Sequence, residues 1–103
     1  MSVYDIVRKA IRNKEIIVAT YDGFVREMCP HVLGIKNGVE QALFLQVGGG
    51  SREGLDRDPS KNWRCIKLDR LTDVSAKPGE WQTAPNDANP QGCVGDIHEE
   101  VPS

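Results

Sequence analysis

Asn37-Gly38, set between two extended runs, is the feature that most narrows the folds open to this chain. A type I′ turn needs positive φ at both central residues, and Asn-Gly supplies it at little cost. Residues 24–36 and 39–47 are therefore expected to pair as an antiparallel hairpin. Asp22-Gly23 is a second turn signal, separating that hairpin from the short β-branched run Glu15 to Thr20. Pro30 cannot donate to a ladder, so the second strand should bend, bulge or lie at an edge there, and Gly34 adds a second weak point. Residues 63–74 return to strand character, as one strand or as two with a break near 67–70. Upstream, Val3, Ile6, Val7, Ala10 and Ile11 recur at helical spacing on one face. Ser2 can cap that helix with Asp5 three residues on, and Asn13 suits its end.

One helix followed by a meander with a bent strand fits a small, mainly β barrel of about five strands, the helical stripe closing one end or face. The 103 residues allow one domain, and 39% hydrophobic with 27% charged residues marks a globular chain rather than a disordered one. No apolar run reaches the ~18 residues of a membrane span, and the first residues lack the apolar stretch of a signal peptide. The expected location is the cytoplasm. Cys29, Cys65 and Cys93 are odd in number and widely spaced, which predicts free thiols in a reducing compartment.

Charge divides the chain in two. Residues 1–78 carry all 13 Lys and Arg against 10 acids, a net of +3, whereas residues 79–103 carry five acids and no Lys or Arg. The overall charge of −2 argues against a sequence-independent DNA binder. The division suggests a barrel over residues 1–75 and an acidic tail over 76–103, rich in Pro, Gly and Asn and without a periodic apolar face. That tail is expected to be an irregular strap or a disordered extension, solvating the protein or competing with anions for the basic body.

Two blocks then match a known pattern. Arg26-Glu27-Met28-Cys29-Pro30, continuing through His31-Val32-Leu33-Gly34, resembles the strand of WYL domains that reads Arg-x-apolar-x-Pro. Arg64-Cys65-Ile66-Lys67-Leu68-Asp69-Arg70-Leu71 is similar to the closing strand of that family, with Ile66 where Phe is usual and Lys67 where Arg is usual. Leu43-Phe44-Leu45 falls where the naming Trp-Tyr-Leu triplet would sit, and Tyr21 where a Tyr ends the first strand. The resemblance covers roughly residues 1–75. It implies an Sm-like or SH3-like barrel with a basic groove for a negatively charged ligand, in a family typical of bacterial transcription regulators. Those regulators add a helix-turn-helix domain, for which a chain of this length leaves no room, so direct promoter binding does not carry over.

Arg26, Arg64, Lys67 and Arg70 are the candidate phosphate ligands, since guanidinium groups match phosphate bidentately. Their structural alternative is pairing with Asp69. Tyr21 and Phe44 could stack on a base, with Phe44 equally suited to the core, and Arg52 beside Gly48-Gly49-Gly50 stands at the edge. Cys93, Asp96 and His98 fall short of a closed metal site, and no nucleophile has a base and orienting acid at a motif spacing. No cofactor or catalysis is expected. The reading is a noncatalytic, regulatory ligand-sensing module that binds a nucleotide or short single-stranded nucleic acid. The alternative is an interaction barrel that oligomerises or docks on a partner regulator.

Overall fold

A computed structural model describes residues 2–50, 54–84 and 93–101. Helix α1 (Val3–Asn13) is followed by strands β1 (Ile16–Tyr21), β2 (Phe24–Lys36), β3 (Val39–Gly49), β4 (Trp63–Lys67), β5 (Thr72–Lys77) and β6 (Asp96–Glu100). All pairings are antiparallel, in the order β4-β3-β2-β1-β5, with β6 joining β2. A 3₁₀ turn, Leu68–Arg70, separates β4 from β5 where the expected break falls. This is the small, mainly β fold with an N-terminal helix that the turn signals anticipate, with β6 as a sixth strand beyond the five or so expected.

Local chemistry explains the boundaries. The Ser2 side chain accepts from the Asp5 N–H, as a capping residue should. Helix α1 ends at Asn13 as expected, but Lys14 rather than Asn13 takes the left-handed conformation (φ 51°), its N–H returning to Ala10 and Ile11. Asn37 and Gly38 have φ of 53° and 77°, so the hairpin turn is of the type the dipeptide predicts. In β2 the register slips between Pro30 and Val32, leaving His31 as the extra residue of a bulge. The bulge lets one 13-residue strand serve two neighbours on the same side: β1 against residues 24–28 and β6 against residues 32–35.

The inner core joins the helical stripe to the concave face of the sheet. Val7, Ala10 and Ile11 pack with Ile17, Ala19, Met28, Leu33, Ala42, Phe44, Ile66, Leu68 and Leu71. Phe44 is fully buried there, which removes it from the stacking role the sequence allowed.

The C-terminal segment departs most from expectation. It is neither free nor wholly irregular among the described residues, but lies across the outer face of the sheet. Trp81 and Ala84 pack with Ile16, Cys29, Leu45, Val47 and Trp63, and Cys93 and Val94 pack with Leu43 and Val32. Its last strand completes β2, and Glu99 is held by Arg8 and Arg12 of α1 at 3.1 and 2.7 Å. Cys65 and Cys93 form a disulfide, so of the three cysteines only Cys29 is free. The expectation of three free thiols is thus corrected, and with it the support thiols gave to a cytoplasmic location. The link closes a 28-residue separation; loop-closure entropy of that length is worth about 3–4 kcal/mol. What can be said of membranes is that no helix among the described residues is long and apolar enough to cross one.

Gly34 makes the docking of this strap possible. A Cβ on Gly34 would come within 1.9 Å of the Asp96 carbonyl oxygen and 2.4 Å of Val94 Cγ1. Gly34→Ala should lift residues 94–97 from β2 while leaving the inner core intact. Hydrogen exchange should then quicken by about tenfold or more at residues 95–101 with little change in α1 and β1. Unchanged protection across the strap would contradict this packing.

Candidate functional site

Side-chain alternation along the sheet decides which cations meet. Arg26 pairs with Ala19 on one side and Gly49 on the other, and Ala19 belongs to the inner core. Arg64 pairs with Phe44, another inner residue. Both guanidinium groups therefore belong to the inward face of the barrel, on two strands with β3 between them. Cys65 and Lys67 alternate to the outer face, so Lys67 does not join the pair. Arg70 is exposed on the 3₁₀ turn and does not contribute to the electrostatics of Arg26. Arg52 lies outside the described residues.

Arg26 is an unusual cation. It is 4% exposed, yet it forms no ion pair with a carboxylate among the described residues. Its guanidinium carbon stands 4.8 Å from the centre of the Tyr21 ring and 5.9 Å from that of Phe24. One terminal nitrogen, Nη1, donates to Gln46 Oε1 at 3.3 Å, and Nε is buried without an acceptor among the described residues. Desolvation pushes the Arg26 pKa down, the charge of Arg64 pushes it further, and Tyr21 and Asp22 oppose the shift. A cation held beside another cation, with a donor unspent, is electrostatically unfinished.

The backbone around it is shaped for close approach. Gly49 has φ of 81°, and a Cβ there would fall 2.2 Å from the Val25 carbonyl oxygen and 2.6 Å from the Arg26 Cα. Only glycine lets β3 run this near to β2 beside the guanidinium. Gln46 Nε2 donates to the carbonyl oxygens of Gly48 and Gly50, both at 3.0 Å, which orients its Oε1 towards Arg26. Arg64 Nη1 donates to the carbonyl oxygens of Lys61 and Trp63, both at 3.2 Å. The triple glycine thus serves as a backbone frame for Gln46.

Sequence reasoning named Arg26, Arg64 and Tyr21 and missed Gln46 and Phe24. Gln46 is a polar residue two places after Phe44 and so on the same face, a signal that could have placed it inside. Phe24 directly follows the Asp22-Gly23 turn opposite Tyr21, and that register was readable once the hairpin was assumed.

A second cluster on the outer face was not anticipated. His31 meets Trp63 edge-on with 4.7 Å between ring centres, and lies 4.3 Å from Trp81. Its Nδ1 donates to the Cys29 carbonyl oxygen at 2.8 Å, and in the neutral ring Nε2 accepts from the Thr83 hydroxyl at 3.1 Å. Buried Cys29 accepts the Gln82 N–H at 3.3 Å, and burial pushes its thiol pKa up. That disfavours a nucleophilic thiolate.

No protein-family model, curated protein or solved structure matches the chain. The residues must carry the functional argument alone.

Burial lowers the His31 pKa, only partly offset by its bond to Cys29. A folded-state pKa below the unfolded value means that the unfolded chain takes up the proton first. Stability should therefore be full above the unfolded value of about 6.5 and fall as pH drops below it. Urea midpoints measured between pH 7.5 and 5.5 should decline, and His31→Gln should flatten that decline. Equal slopes in the two proteins would contradict the assignment.

Proposed function

We propose that this protein is a noncatalytic binding module, a WYL-like barrel that senses a small phosphate-bearing anion. The observation that carries the reading is the buried Arg26, which forms no ion pair among the described residues, keeps an Nε donor without an acceptor there, and feels the positive charge of Arg64. An anion between the two guanidinium groups would relieve their repulsion and accept the unspent donor, both worth more at low dielectric than in water. Tyr21 and Phe24 flank Arg26 and could extend the contact to a nucleobase. A mononucleotide or very short single strand suits a site with two rings better than a long polymer does. Arg26, Arg64, Tyr21 and Phe24 form the site; Lys67 and Phe44 fall outside it.

The proposed competition by the acidic tail receives no support from the described residues. Glu99 is committed to Arg8 and Arg12 of α1, whose hydrogen bonds hold its pKa below the usual carboxylate range.

A second reading rests on the sheet edges. β4 and β5 end the strand path, each with one side unpaired by another strand among the described residues. Two such edges on separate copies could pair and give a dimer or ring, or one could receive a strand of a partner regulator. Light scattering at increasing protein concentration separates this from the monomeric module.

The binding reading is tested by titrating inorganic phosphate, mononucleotides and short single-stranded DNA and RNA at low and moderate salt. Affinity should fall with salt, and Arg64→Ala or Arg26→Met should weaken binding by about tenfold or more, the loss of one charge-assisted contact. Lys67→Ala should stay within about twofold, because its side chain occupies the other face. Absence of binding at low salt, or equal losses from Lys67→Ala and Arg64→Ala, would overturn the proposal.

A further inference from the structure

The outer face carries a feature that the anion site does not use. Cys65 is exposed on β4, whereas Cys93 is only 6% exposed. The two sulfurs of the disulfide are thus unequal in access. Beside them lies a surface hollow of about 250 Å³ lined by Lys36, Asn37, Gln41, Lys67 and the two cysteines, with Val39 completing the wall. Two of these lining residues are cationic and none is acidic. We propose that Cys65–Cys93 is a thiol–disulfide exchange site for small anionic thiols, and that its reduction unfastens the C-terminal strap from the barrel.

The chemistry follows from the asymmetry. An incoming thiolate attacks the accessible Cys65 sulfur in line with the S–S bond, forming a mixed disulfide and expelling Cys93 as the leaving sulfur. Cys93 takes up one proton, and its thiol has a ready acceptor in the Ala42 carbonyl oxygen at 3.5 Å. A second thiolate then attacks the reagent's sulfur in the mixed disulfide, releasing Cys65 as a thiol after a second protonation. Two thiols become one small disulfide, and the protein disulfide becomes two thiols. Lys67 and Lys36 raise the local concentration of an anionic reagent and offset the charge that enters with it.

What the bond holds explains why its loss matters. Between Cys93 and Val101 only Cys93 and Val94 are buried, and Ile97 is 54% exposed. The remaining anchors are half-buried Val101 against the inner core, its N–H on the His31 carbonyl at 2.9 Å, the Gly95 N–H on the Ile35 carbonyl at 3.1 Å, ladder bonds to β2, the Gln41 side chain on the Cys93 carbonyl at 3.1 Å, Tyr4 with His98 at 2.7 Å, and Glu99 with the two helix arginines. Those ion pairs are partly exposed and therefore weak. Residues 93–101, which bury far less apolar surface than the Trp81 part of the strap, depend on the covalent tether, and without it the β2 edge at residues 32–35 opens.

The test uses the full chain. Mercaptosuccinate, 2-mercaptoethanol and cysteamine supply anionic, neutral and cationic thiols. The rate of disulfide loss per thiolate is followed by mass spectrometry, and hydrogen exchange is read at residues 32–35 and 93–101. Mercaptosuccinate should outpace cysteamine by about tenfold at low ionic strength, and the ratio should shrink towards unity in high salt. Lys67→Gln should slow mercaptosuccinate and leave 2-mercaptoethanol within about twofold. Reduced protein, and Cys65→Ser/Cys93→Ser without any thiol, should both lose protection at residues 93–101 while α1 and β1 stay protected. Rates insensitive to reagent charge would overturn the exchange site. A strap still protected in the reduced and doubly substituted proteins would overturn the release.

Discussion

The central strands of the sheet are buried on both sides, and the rest of the architecture depends on that. Helix α1 fills the concave side through Val7, Ala10 and Ile11, while Trp81, Ala84, Cys93 and Val94 cover the convex side. Strand β3 shows the consequence most directly: Ala42, Leu43, Phe44, Leu45 and Gln46 are all buried, although their side chains alternate between the faces. A strand covered on one side only would expose every second residue. The C-terminal strap is therefore part of the core of a small domain that would otherwise leave Leu43, Leu45 and Trp63 facing water.

Strand β2 ties the two sides together. Its inward residues Arg26, Met28 and Leu33 belong to the barrel interior, and its outward residues Cys29 and His31 belong to the layer under the strap. The bulge at His31 separates the part of β2 that pairs with β1 from the part that pairs with β6. Arg26 sits at the end of the strand where the apolar filling gives way to Tyr21, Phe24 and Gln46. Polar and aromatic groups there orient a cation that the core itself has no use for.

Turn chemistry made much of this legible. Asn37-Gly38, Asp22-Gly23 and Pro30 sit where the chain reverses or slips register, because those residues act through local backbone preference that tertiary context seldom overrides. Strand alternation places Arg64 on the core side with Ile66 and Lys67 on the other face, a separation that grouping the four cations as one phosphate site had passed over. The disulfide was not legible, since pairing Cys65 with Cys93 depends on the C-terminal segment lying across the outer face of the sheet, and no local preference encodes that placement. A sign was nevertheless present. Leu43-Phe44-Leu45 is a continuous apolar run, which in a strand means cover on both faces, and Trp81 and Val94 were the apolar residues left to supply it. Phe44 fell to the core rather than to a ligand for the same reason.

The account turns on whether the buried Arg26 donor is there to meet an anion. Nitrogen-detected NMR of the arginine Nε–H groups, followed as inorganic phosphate is added at low salt, addresses this directly. The Arg26 Nε–H resonance should move downfield and become slower to exchange with water at the same phosphate concentrations that shift Arg64. An Arg26 signal that stays fixed while only exposed arginines such as Arg57 and Arg70 respond would contradict it, leaving the guanidinium as a clamp between two aromatic rings.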